Sequence, residues 1–344
     1  MGNQVMILCD TEEEYAQGIT EYFLRQRDFP WTLHTYTDVN AMMEAEAQSE
    51  SAMLVVSENA FSKEILKLKT LKCVILNETG IVKWEQIPQI NKYQAAEHVL
   101  KRLLELYVEV AEEPVILKSV RVKTSFIGMY SPVRRSLQST FAMSMAMLLA
   151  EEHKTLYLNF EHFAGIPELM ADIQTKDLSD LMYFLGAGGE KFRLRFHAML
   201  QQKGALDVIP PMRMGQNLLS ITSGEWINLL LKLEEMGEYE YVILDLSESI
   251  QGLFDILRLC RQVYTLSRED RISMAKMNQY EQLLSQTEYG DVLEKTSRLN
   301  LPKFRRLPEQ LEFYSKGDLA DYVKKQIEQL RNGWGKNDRQ VFES

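Results

Sequence analysis

At 344 residues, with 45% hydrophobic and 26% charged positions, the chain is long enough for two separate cores and has an ordinary soluble composition. A formal net charge of −10 argues against a broad nucleic-acid surface, since phosphate neutralisation supplies most non-specific affinity. No apolar run reaches the roughly 18 residues that span a bilayer, and the acidic N-terminus lacks the features of a signal peptide. Cys9, Cys73 and Cys260 lie in apolar stretches without metal-ligand spacing, the pattern of buried free thiols in a reducing cytoplasm.

In chain order, residues 5–9 read as a short apolar strand ending at Asp10. The spacing of Tyr15, Ile19, Tyr22 and Phe23 predicts a helix over 12–27. A strand at 31–36, a helix at 38–47, strands at 52–57 and 71–76, and a long helix at 94–110 follow. Short apolar strands alternating with helices imply a parallel sheet covered on both faces. The pattern resembles a response-regulator receiver domain, with an unrelated flavodoxin-like domain as the alternative. The resemblance implies an acidic pair after the first strand and a phosphorylated Asp after the third. Here Asp10 stands alone behind Cys9, and Ser57 takes the approximate acceptor position. A hydroxyl cannot form an acyl phosphate, and fewer carboxylates would hold Mg²⁺. Residues 77–93 are too short for a full strand–helix–strand. The expectation is a degenerate receiver used for docking or dimerisation.

Charge and proline at Val110-Ala-Glu-Glu-Pro114 mark a domain boundary. The chain divides into a first domain at 1–112, a linker at 113–121, a second domain at 122–331 and a polar tail at 332–344. Residues 115–122 lead into the second sheet or form its edge. The second domain opens with a strand at 126–130, a loop at 131–138, a small-residue helix from Ser139 and a strand at 155–160 that runs into Glu161. This βαβ unit is one in which a phosphate loop sits on a helix N-terminus. Helices at 178–185 and 192–201, a strand at 205–209, a helix at 226–236 and a buried strand at 240–246 carrying Asp245 follow. A helix at 252–260, a strand at 262–266, a helix at 271–286, a strand at 298–301 and a closing helix at 318–330 complete it.

The loop SPVRRSLQST, the strand LYLNFE, the helix DLSDLMYFL followed by LDVIPP, and the strand YEYVILDL resemble the MinD/ParA class of P-loop ATPases. With a degenerate receiver in front, the chain resembles TadZ/CpaE-type proteins, which are implicated in polar placement and assembly of Tad (Flp) pili. The resemblance implies two doubly wound α/β domains and a cytoplasmic homodimer. It also implies partners among pilus or secretion assembly proteins and a cellular address at the pole or, through partners, the membrane periphery.

In the family's register Ser131 opens the loop, and Val133 replaces the additional signature lysine. Arg134, Arg135 and Leu137 replace glycines around Ser136, and Gln138 replaces the main lysine. Ser139 and Thr140 keep the hydroxyls, Ser139 as a possible Mg²⁺ ligand. Asn159 stands where the family has an acidic residue, with Glu161 two positions on. Asp245 fits the carboxylate that orders Mg²⁺ through water, or equally a strand-end Asp capping the next loop. Loss of a charge-assisted hydrogen bond, about 1.5–3 kcal/mol, lowers affinity about tenfold to a hundredfold. Weak ATP or ADP binding with Mg²⁺, and no efficient turnover, is therefore the expectation. Two alternatives stand beside it: an active switch in which Arg134 or Arg135 supplies the missing charge, and a phosphorylation-responsive signalling protein. Met143, Met145 and Met147, and the closing helix's Leu319, Val323, Ile327 and Leu330, have the spacing of core residues.

Overall fold

The computed structural model describes residues 5–26, 29–110, 121–169 and 176–341. The expected linker lies outside them but for Arg121. The elements are β1 (Val5–Cys9), α1 (Glu13–Arg25), β2 (Thr32–Tyr36), α2 (Val39–Ala45), β3 (Glu50–Ser57), β4 (Lys69–Asn77), β5 (Gln89–Asn91) and α3 (Ala96–Val110). There follow β6 (Ser125–Met129), α4 (Gln138–Ala150), β7 (Thr155–Asn159), α5 (Ile166–Leu169), α6 (Leu178–Tyr183), α7 (Gly189–Met199), β8 (Gln201–Lys203) and β9 (Leu206–Val208). The last are α8 (Ser223–Met236), β10 (Tyr241–Asp245), α9 (Leu253–Leu259), β11 (Gln262–Ser267), α10 (Arg271–Gln286), α11 (Gly290–Glu294), β12 (Thr296–Asn300) and α12 (Gly317–Val341). They form two compact units, Met1–Ser119 with Gly186–Ala198, and Val120–Leu185 with Met199–Ser344.

The first unit holds a five-stranded parallel sheet of order β2-β1-β3-β4-β5. Strand β1 is buried along its whole length, as expected where both faces of a parallel sheet are covered. One face packs Ile19, Phe23, Trp31, Leu103 and Tyr107, and Leu194 and Ala198 of α7 join that core. The other face packs Met42, Leu54, Ile65 and Ile75. Residues 78–88 contain no helix, in keeping with a stretch too short for a full strand–helix–strand, and the three residues of β5 add a short strand on β4. Connections leave β1 and β3 in opposite directions, which opens a crevice at their C-terminal ends, beside Asp10 and Ser57.

The second unit holds a seven-stranded sheet of order β12-β11-β6-β10-β7-β9-β8. It is parallel except at one edge, where β8 runs antiparallel to β9. Both domains are thus doubly wound α/β sheets. Helix α4 is apolar nearly all round and is buried accordingly, with Phe141, Met143 and Met145 in the main core. Leu319, Val323, Ile327 and Leu330 of α12 lie in the same core, and this helix continues to Val341, past the end read from its apolar spacing. Helix α8 begins with a reciprocal cap between Thr222 and Glu225 and ends at Gly237, whose φ of 61° suits a residue without Cβ. Strands β6 and β10 pair in the centre, and their onward connections diverge. The loop after β6 and Asp245 at the end of β10 therefore share the switch-point crevice of this sheet.

Candidate functional site

The loop between β6 and α4 keeps the shape that glycines usually provide. Arg135 (φ 59°) and Leu137 (φ 63°) are the non-glycine residues in the left-handed region among the described residues, and Leu137 is the N-cap of α4. Each such residue costs about 1–3 kcal/mol and persists because its surroundings dictate it. Part of that hold is visible. Ser131 Oγ accepts from the Val133 N–H at 3.0 Å and donates to the Leu266 carbonyl, which ties the loop to β11.

Gln138, where the resemblance places the lysine, lines the cleft half-exposed and turns its carboxamide toward the strand ends. Its Nε2 lies 2.7 Å from Asp245 Oδ1, 2.8 Å from the Leu246 carbonyl and 3.2 Å from the Met129 carbonyl. Asp245 is fully buried. Its Oδ2 accepts from Tyr157 Oη at 2.8 Å and Asn159 Nδ2 at 2.9 Å, and Ser139 also reaches the carboxylate. Among the described residues every side chain donating to Asp245 is uncharged. Burial pushes its pKa up, and the hydrogen bonds from Gln138, Ser139, Tyr157 and Asn159 oppose that rise. The carboxylate is the acceptor at the centre of a buried polar network.

Asn159 lies opposite Asp245 in register, and its Oδ1 accepts the Glu161 N–H at 2.9 Å. Glu161 lines the cleft and shares Ser139 with Asp245. Burial, and then the Asp245 charge, push Glu161 up to about 7. The cleft, about 490 Å³, is lined by the loop from Val133 to Thr140, by Glu161, His162 and Phe163, and by the turn after β10. Arg134 stands exposed at its rim and pairs with Glu248, with Nε 3.1 Å from Oε1. Arg135 is exposed and Ser136 buried. These residues do not fit the Mg²⁺ arrangement that the family resemblance implies. Both Asp245 oxygens are engaged by neutral donors, and the residue at the lysine position is turned inward.

Tyr157 was not singled out by sequence, although its place two residues before Asn159 puts both on one face of β7. In the first unit Asp10 has a buried cationic partner that the sequence did not signal. Lys92, just after β5, reaches it and also meets Glu12 and Glu78. Ser57 Oγ is buried without a hydrogen-bond partner. The neighbouring Glu58 accepts from Lys83, the Glu78 and Thr79 N–H groups and the Thr79 hydroxyl. The Lys83 contact, supported by the two N–H groups against the effect of burial, holds Glu58 down at about 2.

Fold and site together define a doubly wound α/β domain with a cleft at its switch point, between the β6–α4 loop and the end of β10. No family model matches the chain, and no curated protein matches its sequence. Among solved structures it is similar to a ParA family ATPase from Chlorobium tepidum TLS, with TM-score 0.43 and 16% identity over 51% of this chain and 73% of that one. A plasmid partition protein from Borrelia burgdorferi gives TM-score 0.41 and 14% identity over 59% and 99%. The MinC:MinD cell division complex of Aquifex aeolicus gives 0.39 and 16% over 51% and 68%.

Proposed function

We propose that this chain is a non-catalytic localisation or assembly factor, built on a MinD/ParA-like frame and resembling TadZ/CpaE proteins of Tad pilus assembly. It acts as a homodimer through protein contacts, with nucleotide bound weakly or not at all. The observation that carries this reading is the inward turn of Gln138 onto Asp245. In a working P-loop the lysine reaches the β- and γ-phosphates, and the strand-end carboxylate orders Mg²⁺. Here one neutral side chain occupies the first position and quenches the second, so the charge that grows on a transferring phosphoryl group meets no cation from either.

The retained left-handed turns at Arg135 and Leu137 favour a second reading, a loop still shaped to hold an anion. Arg134 supports that reading poorly, being exposed at the rim and paired with Glu248.

Titration of the full chain with fluorescent ATP and ADP, with and without Mg²⁺, while light scattering follows its mass, separates the two. The proposal expects a dimer whose mass does not respond to nucleotide. Saturable Mg²⁺-dependent binding that converts monomer to dimer would overturn it in favour of a nucleotide switch.

A further inference from the structure

The first unit holds a fully buried cation at the end of its sheet. Lys92 is 1% exposed, one of the largest fully buried side chains in the chain. Its Nζ lies 2.9 Å from Asp10 Oδ2 and 3.0 Å from Oδ1, 2.9 Å from Glu12 Oε2 and 3.2 Å from Glu78 Oε1. The Tyr15 ring centroid is 4.7 Å away, and Tyr15 Oη donates to the Lys92 carbonyl at 3.0 Å, fixing the backbone that carries the ammonium. Three chain segments that are remote in sequence therefore converge on one nitrogen at the switch-point crevice, the place in such sheets where ligands enter. The ammonium thus sits among four carboxylate oxygens at about 3 Å, at hydrogen-bond distances rather than the shorter ones of a bound Mg²⁺ or Ca²⁺, and supplies the positive charge that such an ion would.

We propose that Lys92 is the permanent cation of this crevice, occupying the place an exchangeable divalent ion would take and holding the first unit in one state. The crevice then takes up neither a divalent cation nor the phosphoryl group that a bound metal would help deliver. Ser57, at the end of the neighbouring strand β3, is buried with its hydroxyl unengaged. Burial alone would lower the pKa of a lysine, but the hydrogen bonds that its ammonium donates to Glu12, Asp10 and Glu78 outweigh it and raise the pKa. The lysine therefore carries its charge at neutral pH. This inference is independent of whether the second unit binds nucleotide.

Thermal unfolding of the full chain tests it, with MgCl₂ or MnCl₂ compared against NaCl of equal ionic strength. The wild-type transition should not respond to the divalent ion. Lys92→Ala should melt about 5–10 °C lower, since it strands carboxylates in a buried site. Mn²⁺ or Mg²⁺, but not Na⁺, should restore much of that loss by entering the vacated position. If Lys92→Ala does not fold, the double variant Lys92→Met with Asp10→Asn, which removes opposite charges together, should melt closer to wild type than Lys92→Met alone. Saturable stabilisation of the wild type by Mg²⁺, labelling of the first unit by acetyl phosphate, or a Lys92→Ala variant as stable as wild type would each overturn the proposal.

Discussion

Gln138 and Asp245 form a closed pair: the carboxamide lies 2.7 Å from the buried carboxylate and also reaches the Leu246 and Met129 carbonyls at the ends of β10 and β6. Two positions that in a P-loop would face a ligand here face each other. The contact makes the crevice floor part of the fold, so its removal reads first as lost stability.

Gln138→Ala removes donors from a buried carboxylate and two strand-end carbonyls. The expected loss is about 1–3 kcal/mol, the usual cost of leaving such groups unpaired. Urea unfolding followed by tryptophan fluorescence measures it. An unchanged midpoint would mean that water replaces the amide at no cost.

Arg135→Gly should stabilise the chain, contrary to the usual effect of glycine. Relief of the left-handed backbone is worth about 1–2 kcal/mol, against a glycine entropy cost of about 0.5–1 kcal/mol. Arg135 is exposed, so little packing is lost with its side chain. The expected net gain of about 0.5–1 kcal/mol is readable by denaturant titration, and a loss would show that the loop is held open by the arginine itself.

Glu161 contributes to the pH dependence of the second unit, in the same direction as its neighbour Asp245. Its folded pKa of about 7 lies above the ordinary carboxyl value, because of burial and then the Asp245 charge. An acid whose pKa rises on folding binds its proton more tightly in the folded state. Its contribution is then complete below the unfolded pKa and lost as pH climbs through the folded one. Glu161→Gln should therefore melt higher than wild type at pH 8 and equally at pH 4. A difference that grows toward acid pH would reverse the assignment.

Ile327→Ala, in the α12 stripe, should cost about 2–4 kcal/mol, as large-to-small changes in a close-packed core do. Ile327 is buried among Leu319, Val323 and the α4 side chains. The full chain should accordingly stay in the soluble fraction when mixed with anionic vesicles and floated, since the apolar stripe is already covered. Co-flotation that Ile327→Ala strengthens would mean that α12 exchanges between core and lipid.

Most of the fold was legible from apolar spacing, because inner strands such as VMILC and TLYLN are nearly continuous hydrophobic runs. The three-residue strands β5 and β8 were not, since QIN and QQK carry too few apolar residues to signal anything. Lys92 was missed for the same reason, following an unread strand. At the candidate site the residues were legible and their directions were not. The identity of Gln138 follows from register, whereas its turn toward Asp245 depends on rotamers and on carbonyls contributed by two strands. The left-handed backbone at Leu137 was foreseeable only as a cost, and the neighbouring contacts that sustain it come from elsewhere in the chain.

The reversal at β8 has a colloidal consequence. A parallel sheet ending in a long straight strand would offer a row of unpaired amides to any extended peptide nearby. Here that border is three residues long, and its middle residue, Gln202, turns a polar exposed side chain outward. A template so short cannot recruit a second sheet in register, so fibrous self-association should not begin from this side of the molecule even at high concentration.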